Sequence, residues 1–243
     1  MRVYAFSDIA PHQMNDKVHA VLHVKSNGEE FTGFIDYSII DYATGQFKGL
    51  TSTDNKGETR ALLVDLLNYG AATQVYAGSN VDNLANSILT EEQKGWGTQT
   101  DVVPDNILNQ NHVVIENPTA TIAGASLVLR DAIVVRTYIT AADLEGVSVQ
   151  FKSGNKTWTY DSADFTEYYG MYYVDFNGLN PAQMNNAIDI TVLKNGVAIS
   201  NTLRYSIETY AALEYAKTNN DAKLINLLKA MLKYGVATYN YAN

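Results

Sequence analysis

The chain has 243 residues, 46% of them hydrophobic and only 18% charged, enough to bury a core for two modest domains or one large one and too apolar for wholesale disorder. Its formal net charge of -9 repels phosphate backbones and anionic membrane surfaces, which argues against nucleic acid as a partner. With 0 cysteines there are no disulfides or thiolate metal sites, no apolar run is long enough to span a bilayer, and the first residues lack the layout of a secretion signal.

Residues 18–24 alternate, placing Val18, Ala20, Leu22 and Val24 on one face of a half-buried strand. Asn27-Gly28 supplies the positive backbone angles of a tight hairpin turn. The returning strand runs into Tyr37-Ser38-Ile39-Ile40-Asp41-Tyr42, where Ser38 or Asp41 can cap a short helix. A second helix is predicted from Leu62, Leu63, Leu66, Leu67 and Ala71, which recur at three and four residues. Gly70, late in that helix, permits either a close approach or a helix end. Residues 78–111 are polar, and 81–86 and 90–93 read as short helices, the latter opened by a Thr cap. So long a connection is expected to hug the surface or to carry function. Strand-like runs follow at 126–129, 133–139, 147–152, 157–160 and 168–175. A second Asn195-Gly196 turn and a second apolar stripe (Leu224, Leu227, Leu228, Met231, Leu232) complete the chain, with Gly235 late in that helix.

These elements repeat. The stretch from Phe6-Ser7-Asp8 through Pro11, Gln13, Met14 and Asn15 aligns with that from Phe176-Asn177-Gly178 through Pro181, Gln183, Met184 and Asn185. Tyr37-Ser38-Ile39 aligns with Tyr205-Ser206-Ile207, and Leu67-Asn68-Tyr69-Gly70-Ala71-Ala72-Thr73 with Leu232-Lys233-Tyr234-Gly235-Val236-Ala237-Thr238. Matches that keep their order over such a length define a repeated unit. The expected fold is α+β: tandem units of antiparallel, immunoglobulin-like β-sandwich strands, each followed by a C-terminal helical hairpin. Residues 1–77 form a first unit, N-terminally truncated; 78–111 are a linker with short helices; 112–243 form the complete second unit. The missing strands leave an exposed sheet edge in the first unit. The two units are therefore expected to pack together, or the first to be the less ordered, and the chain to be cut from a longer array.

Residues with catalytic potential do not assemble into a pattern. His19 and His23 have helical chelate spacing but lie in a strand pattern, where four residues span roughly 13 Å. There is no Gly-x-Ser-x-Gly elbow, no cysteine nucleophile and no glycine-rich phosphate loop. Asp161, Asp164 and Glu167 cluster beside aromatics, where turn chemistry explains them more simply than a glycosidase pair or a calcium loop. No cofactor or metal is called for, and the chain is expected not to be an enzyme. What stands out is aromatic: 17 Tyr against 7 Phe and 2 Trp. Trp158, Tyr160, Tyr168, Tyr169, Tyr172 and Tyr173 form the richest candidate ligand surface, since exposed rings stack on sugars while their polar tips bond hydroxyls. Filling the sheet core and its rim is the competing role for these rings. Trp96, between Gly95 and Gly97, is a second candidate, as an exposed platform or, the favoured reading, a loop plug.

Leu67-Asn68-Tyr69-Gly70-Ala71-Ala72-Thr73-Gln74, together with the runs 124–129 and 173–179, resembles tandem modules of large secreted or surface proteins of gut-dwelling clostridia and ruminococci. The resemblance covers nearly the whole chain, and no site residues come with it. It implies an extracellular or cell-surface address, with signal and anchor outside this chain, and a non-catalytic role beside glycosidase, carbohydrate-binding or anchoring segments. The expected partners are a polysaccharide, bound through exposed aromatics, or neighbouring domains of a parent protein that the chain spaces or contacts.

Overall fold

The computed structural model describes residues 9–110, 112–129 and 131–243. Residues 1–8, which hold the strand-like start of the chain and the Phe6-Ser7-Asp8 part of the first aligned stretch, lie outside the described residues, as do Asn111 and Arg130. The chain is mixed α and β, its sheets antiparallel.

A 3-10 turn, Pro11–Gln13, leads into strands β1 (Val18–Ser26) and β2 (Glu29–Tyr37). Their register runs from Val18 opposite Tyr37 to Ser26 opposite Glu29, closed by Asn27 and Gly28 at φ 53° and 86°. Both angles are positive, as a type I′ turn requires, and Asn and Gly are the residues that tolerate them. Helix α1 (Ile39–Phe47) starts at Ser38, whose Oγ accepts from Asp41 N at 3.1 Å while Asp41 Oδ2 accepts from Ser38 N at 3.0 Å. Both candidate caps thus act together, as a capping box. Helix α2 (Gly57–Ala77) carries the leucine stripe and ends at Gly78, φ 66°.

The connection that follows lies against α2. Only its second expected helix forms, as α3 (Glu91–Lys94) capped by Thr90. Residues 81–84 do not form the expected helix, and a 3-10 turn, Ala85–Ile88, follows them. The buried Gln74 side chain explains this: its Oε1 accepts from Ala85 N (2.7 Å) and its Nε2 donates to Asn83 O (3.1 Å), taking backbone groups a helix would use internally. Farther on, buried Asp65 accepts from Thr98 N (3.0 Å) and Thr98 Oγ1 (2.6 Å). Burial raises the Asp65 carboxyl above the usual range, and the Thr98 bonds oppose that shift.

The remaining strands are β3 (Ala120–Val128), β4 (Val134–Ala141), β5 (Val147–Ser153), β6 (Lys156–Asp161), β7 (Thr166–Tyr168), β8 (Met171–Phe176), β9 (Ile188–Lys194), β10 (Val197–Ala198) and β11 (Leu203–Tyr205). They form a four-stranded sheet, β3-β4-β8-β7, and a five-stranded sheet, β10-β9-β5-β6 with β11 also on β9. Alternate residues of both turn into one core: Val135, Ile139, Val174 and Phe176 from the first; Val147, Val149, Phe151, Ile188, Ile190 and Val192 from the second. Phe151 stacks on Phe176 across it, centroids 4.6 Å apart. Helices α4 (Ile207–Tyr215), capped by Ser206, and α5 (Ala222–Ala242), capped by Asp221, close the chain.

Residues aligned in the sequence take matching local structures. Met14 and Met184 are both buried after 3-10 turns, and their carbonyls accept from Ile40 N (3.3 Å) and Glu208 N (3.2 Å). Gly70 and Gly235 face those methionines: a Cβ on either would lie 2.4 Å from Met14 Sδ or 2.8 Å from Met184 Sδ. Both glycines therefore serve close approach; neither ends its helix. Helices α2 and α5 pack together, and equivalent residues meet there, Tyr69 stacking on Tyr234 at 5.6 Å and 11°. In the hairpin β1–β2 the matching ends. Leu22 is 49% exposed and its counterpart Val192 is 0% exposed; Tyr37 is 45% exposed and Tyr205 1%.

Candidate functional site

The register divides the candidate aromatics between two sides of the sheets. Trp158 pairs with Phe151 and Tyr160 with Val149, so both turn toward the core. Trp158 meets Phe176 edge-on at 5.0 Å and Tyr160 meets Phe151 at 5.6 Å. Half-burial raises the Tyr160 hydroxyl above its ordinary pKa, with Asp164 adding to the shift. Tyr172 also packs against the core, half-buried. Trp96 lies 6.2 Å from the Phe47 ring and under the Arg60 guanidinium at 5.5 Å, half-buried at the edge of the small α1–α2 core.

Tyr173, Tyr168 and Tyr169 lie together on the outer side. Tyr173 pairs with Tyr138 on β4 and Thr166 on β7, and Asp175 pairs with Arg136, so one outward strip carries Arg136, Tyr138, Tyr173, Asp175 and Tyr168. Arg136 donates to Asp175 twice, Nε to Oδ1 at 2.8 Å and Nη2 to Oδ2 at 2.7 Å, and its guanidinium sits 3.9 Å above the Tyr173 ring. The Asp175 hydrogen bonds push the Arg136 pKa still higher, so the group is a permanent cation. Tyr138, Tyr168 and Tyr173 pack at 5.7–6.2 Å with interplanar angles of 50–74°. Such tilts favour ring quadrupoles and rule out one flat platform. Tyr138, Arg136 and Asp175 are absent from the sequence-derived set, because only the strand register places them beside Tyr173.

Tyr169 is the most unusual member. The expected single run 168–175 is broken into β7 and β8 by a two-residue turn, Tyr169 at φ 48° and Gly170 at φ 78°. Among the described residues, the other two turns with both residues at positive φ, Asn27-Gly28 and Asn195-Gly196, put Asn at the first position, where a left-handed backbone is tolerated. A tyrosine there carries a cost of roughly 1–2 kcal/mol. Its ring is 89% exposed, supported edge-on by Tyr168 at 4.7 Å, so no burial offsets that cost.

Other regions offer less. A cleft of about 340 Å³ between α2 and α5 is lined by Asn68, Asn86, Asp101, Lys229 and Lys233. No aromatic ring lines it, and Lys229 and Lys233 reach Asp101 at 2.8 and 3.0 Å, holding that carboxyl at about 2. Asp161 and Asp164 cap the 3-10 turn Ser162–Asp164, Asp161 Oδ1 accepting from Ala163 N at 3.0 Å. His19 pairs with Asp36 and His23 with Thr32 across the β1–β2 hairpin. Among the described residues no group of three or more His, Cys, Asp or Glu side chains is placed to hold a metal ion, and no helix is long and apolar enough to cross a membrane. Comparison with protein-family models, with curated proteins and with solved structures finds no match.

Proposed function

We propose that this chain is a non-catalytic, extracellular or cell-surface binding module that holds a polysaccharide on the outer strip around Tyr169. The observation that carries the reading is Tyr169 itself, an exposed ring held in a left-handed turn that asparagine would fill more cheaply. Beside it, Tyr168, Tyr138 and Tyr173 offer faces for stacking on sugar rings, and the Arg136–Asp175 pair offers polar groups to hydroxyls. In the same reading, 1–77 and 112–243 are two copies of one module joined by the linker 78–111. The module is an immunoglobulin-like β-sandwich with a helical hairpin, and the first copy lacks most of its sandwich.

The test is Tyr169→Asn. It is expected to stabilise the chain by about 1 kcal/mol, by relieving the turn, while weakening retardation in affinity gels of starch, xylan, mucin or peptidoglycan. Opposite signs for stability and binding are the signature. Retardation of the parent chain by none of these glycans, or equal retardation of the variant, sinks the proposal. A second reading, a spacer that positions neighbouring domains, is favoured by the Tyr69–Tyr234 joint, which fixes α2 against α5.

A further inference from the structure

The hairpin β1–β2 presents Val18, Ala20, Leu22, Val24, Phe31, Ile35 and Tyr37 on one side, all exposed but the half-buried Val18. Among the described residues its strands pair only with each other. Two strands with an uncovered apolar face are marginal in water, and a free edge invites another strand. The chain itself shows what such a hairpin is built to meet. Strand β9 aligns with β1 in the same register, since Ile188 faces Tyr205 as Val18 faces Tyr37, and Ile190 faces Leu203 as Ala20 faces Ile35. There, β5 pairs along the other edge of β9, setting Val149 opposite Val192 and Phe151 opposite Ile190. The facing sheet supplies Phe176, Val174 and Ile139 to the same core, and Ile188, Ile190 and Val192 are each 0% exposed.

We propose that the β1–β2 hairpin is a docking site for a partner polypeptide layer of the β3–β8 type. One of its strands, apolar at alternate positions as β5 is, pairs antiparallel with the free edge of β1, and its companion strands cover the Leu22–Ile35 face. A second copy of this chain does not fit that role, because its own β3–β8 layer is occupied by β9 and β11. This site is separate from the Tyr169 strip, so either can fail alone.

The test uses the full chain with an added copy of residues 112–177, which spans β3–β8, joined ahead of Met1. Tethering gives the added layer a high effective concentration. Amide exchange over residues 18–37 is expected to slow on the order of 100-fold against the unextended chain. Val149→Asp with Phe151→Asp, made in the added copy alone, is expected to abolish the slowing. Amides of β9 report that the original part remains folded; if they stay protected while 18–37 exchange as before, the proposal is overturned. If the extended chain loses β9 protection, a synthetic peptide of residues 145–154 is added to the unextended chain instead. Slowing of 18–26 then supports the docking site, and its absence overturns it. Slowing of 18–37 on concentrating the unextended chain alone also overturns it, because the occupant would then be a second copy.

Discussion

Gly235→Ala sets two effects of opposite sign against each other in α5. Helix propensity alone favours alanine by about 1 kcal/mol. Against it, the new Cβ would stand 2.8 Å from Met184 Sδ and 3.1 Å from the Pro181 carbonyl oxygen. The sulfur can swing aside, but the carbonyl belongs to a 3-10 turn fixed by Gln183 N donating to Asn180 O at 2.9 Å and Asn180 N donating to Gln183 Oε1 at 3.2 Å. Overpacking against backbone costs about 1–3 kcal/mol, so a net loss of about 0–2 kcal/mol is expected. Gly70→Ala, where Met14 Sδ would be 2.4 Å away and Ala85 Cβ 3.1 Å, should lose a similar amount. Urea denaturation with an unchanged m value measures both. Repeating Gly235→Ala in a Met184→Ala background should recover only part of that loss, under about 0.5 kcal/mol by double-mutant cycle, because the Pro181 carbonyl remains. A Gly235→Ala protein about 1 kcal/mol more stable than the parent would refute the close-approach argument and leave propensity alone.

Three further outcomes follow from the geometry. The Asp101 carboxyl, held at about 2 by hydrogen bonds from Lys229 and Lys233, contributes stability that is present above its unfolded value of 3.8 and is lost as pH falls through about 2. An NMR titration of Lys229→Ala/Lys233→Ala should return that pKa toward 3.8; an unmoved value would show that the pairs are not its cause. Val192→Ala, in the closed core, should cost about 2–3 kcal/mol, whereas Leu22→Ala at the aligned but exposed position should cost under about 1 kcal/mol; equal losses in thermal unfolding would mean that the hairpin face is covered in solution. Trp96→Ala removes an indole packed on Phe47 and Arg60 and should cost about 2–3 kcal/mol. A loss near zero by the same measurement would make Trp96 an exposed platform.

Local features of the fold were legible because they depend on neighbours in sequence. The Asn27-Gly28 and Asn195-Gly196 turns, the Ser38 cap and the Thr90 cap are each fixed within four residues. The misread stretches needed distant partners. Residues 81–84 look helical until the Gln74 side chain, from another element, claims Asn83 and Ala85. The run 168–175 gave no sign of a turn, because Tyr169 is a strand former by composition and its positive φ goes against that preference. The outer strip was half visible for the same reason: alternation separates Tyr172 from Tyr173, but only the β4–β8 register joins Tyr173 to Tyr138 and Arg136 to Asp175. Gly70 and Gly235 left two alternatives open in the sequence, and the methionines 56 and 51 residues upstream decide between them.

The two aligned hairpins show what an amphipathic pattern specifies. Val18, Ala20 and Leu22 alternate as Ile188, Ile190 and Val192 do, the first three paired with β2 and the others with β11 or β5 in antiparallel ladders. Alternation therefore determines which face a strand offers for burial, while the facing layer determines whether burial happens. That layer is supplied by β3–β8, whose residues precede β9 in the chain, so the second hairpin closes on strands already linked to it. Helices α4 and α5 share that core with both sheets, whereas α1 packs on α2 over a small core of its own, and α2 packs on α5. Hence the helices of the first half stay bound into the core through Tyr69, Ala71 and Ala72 while their hairpin stands apart. A surface patterned for burial, held in register and joined to helices that share the core is the combination on which the docking proposal rests.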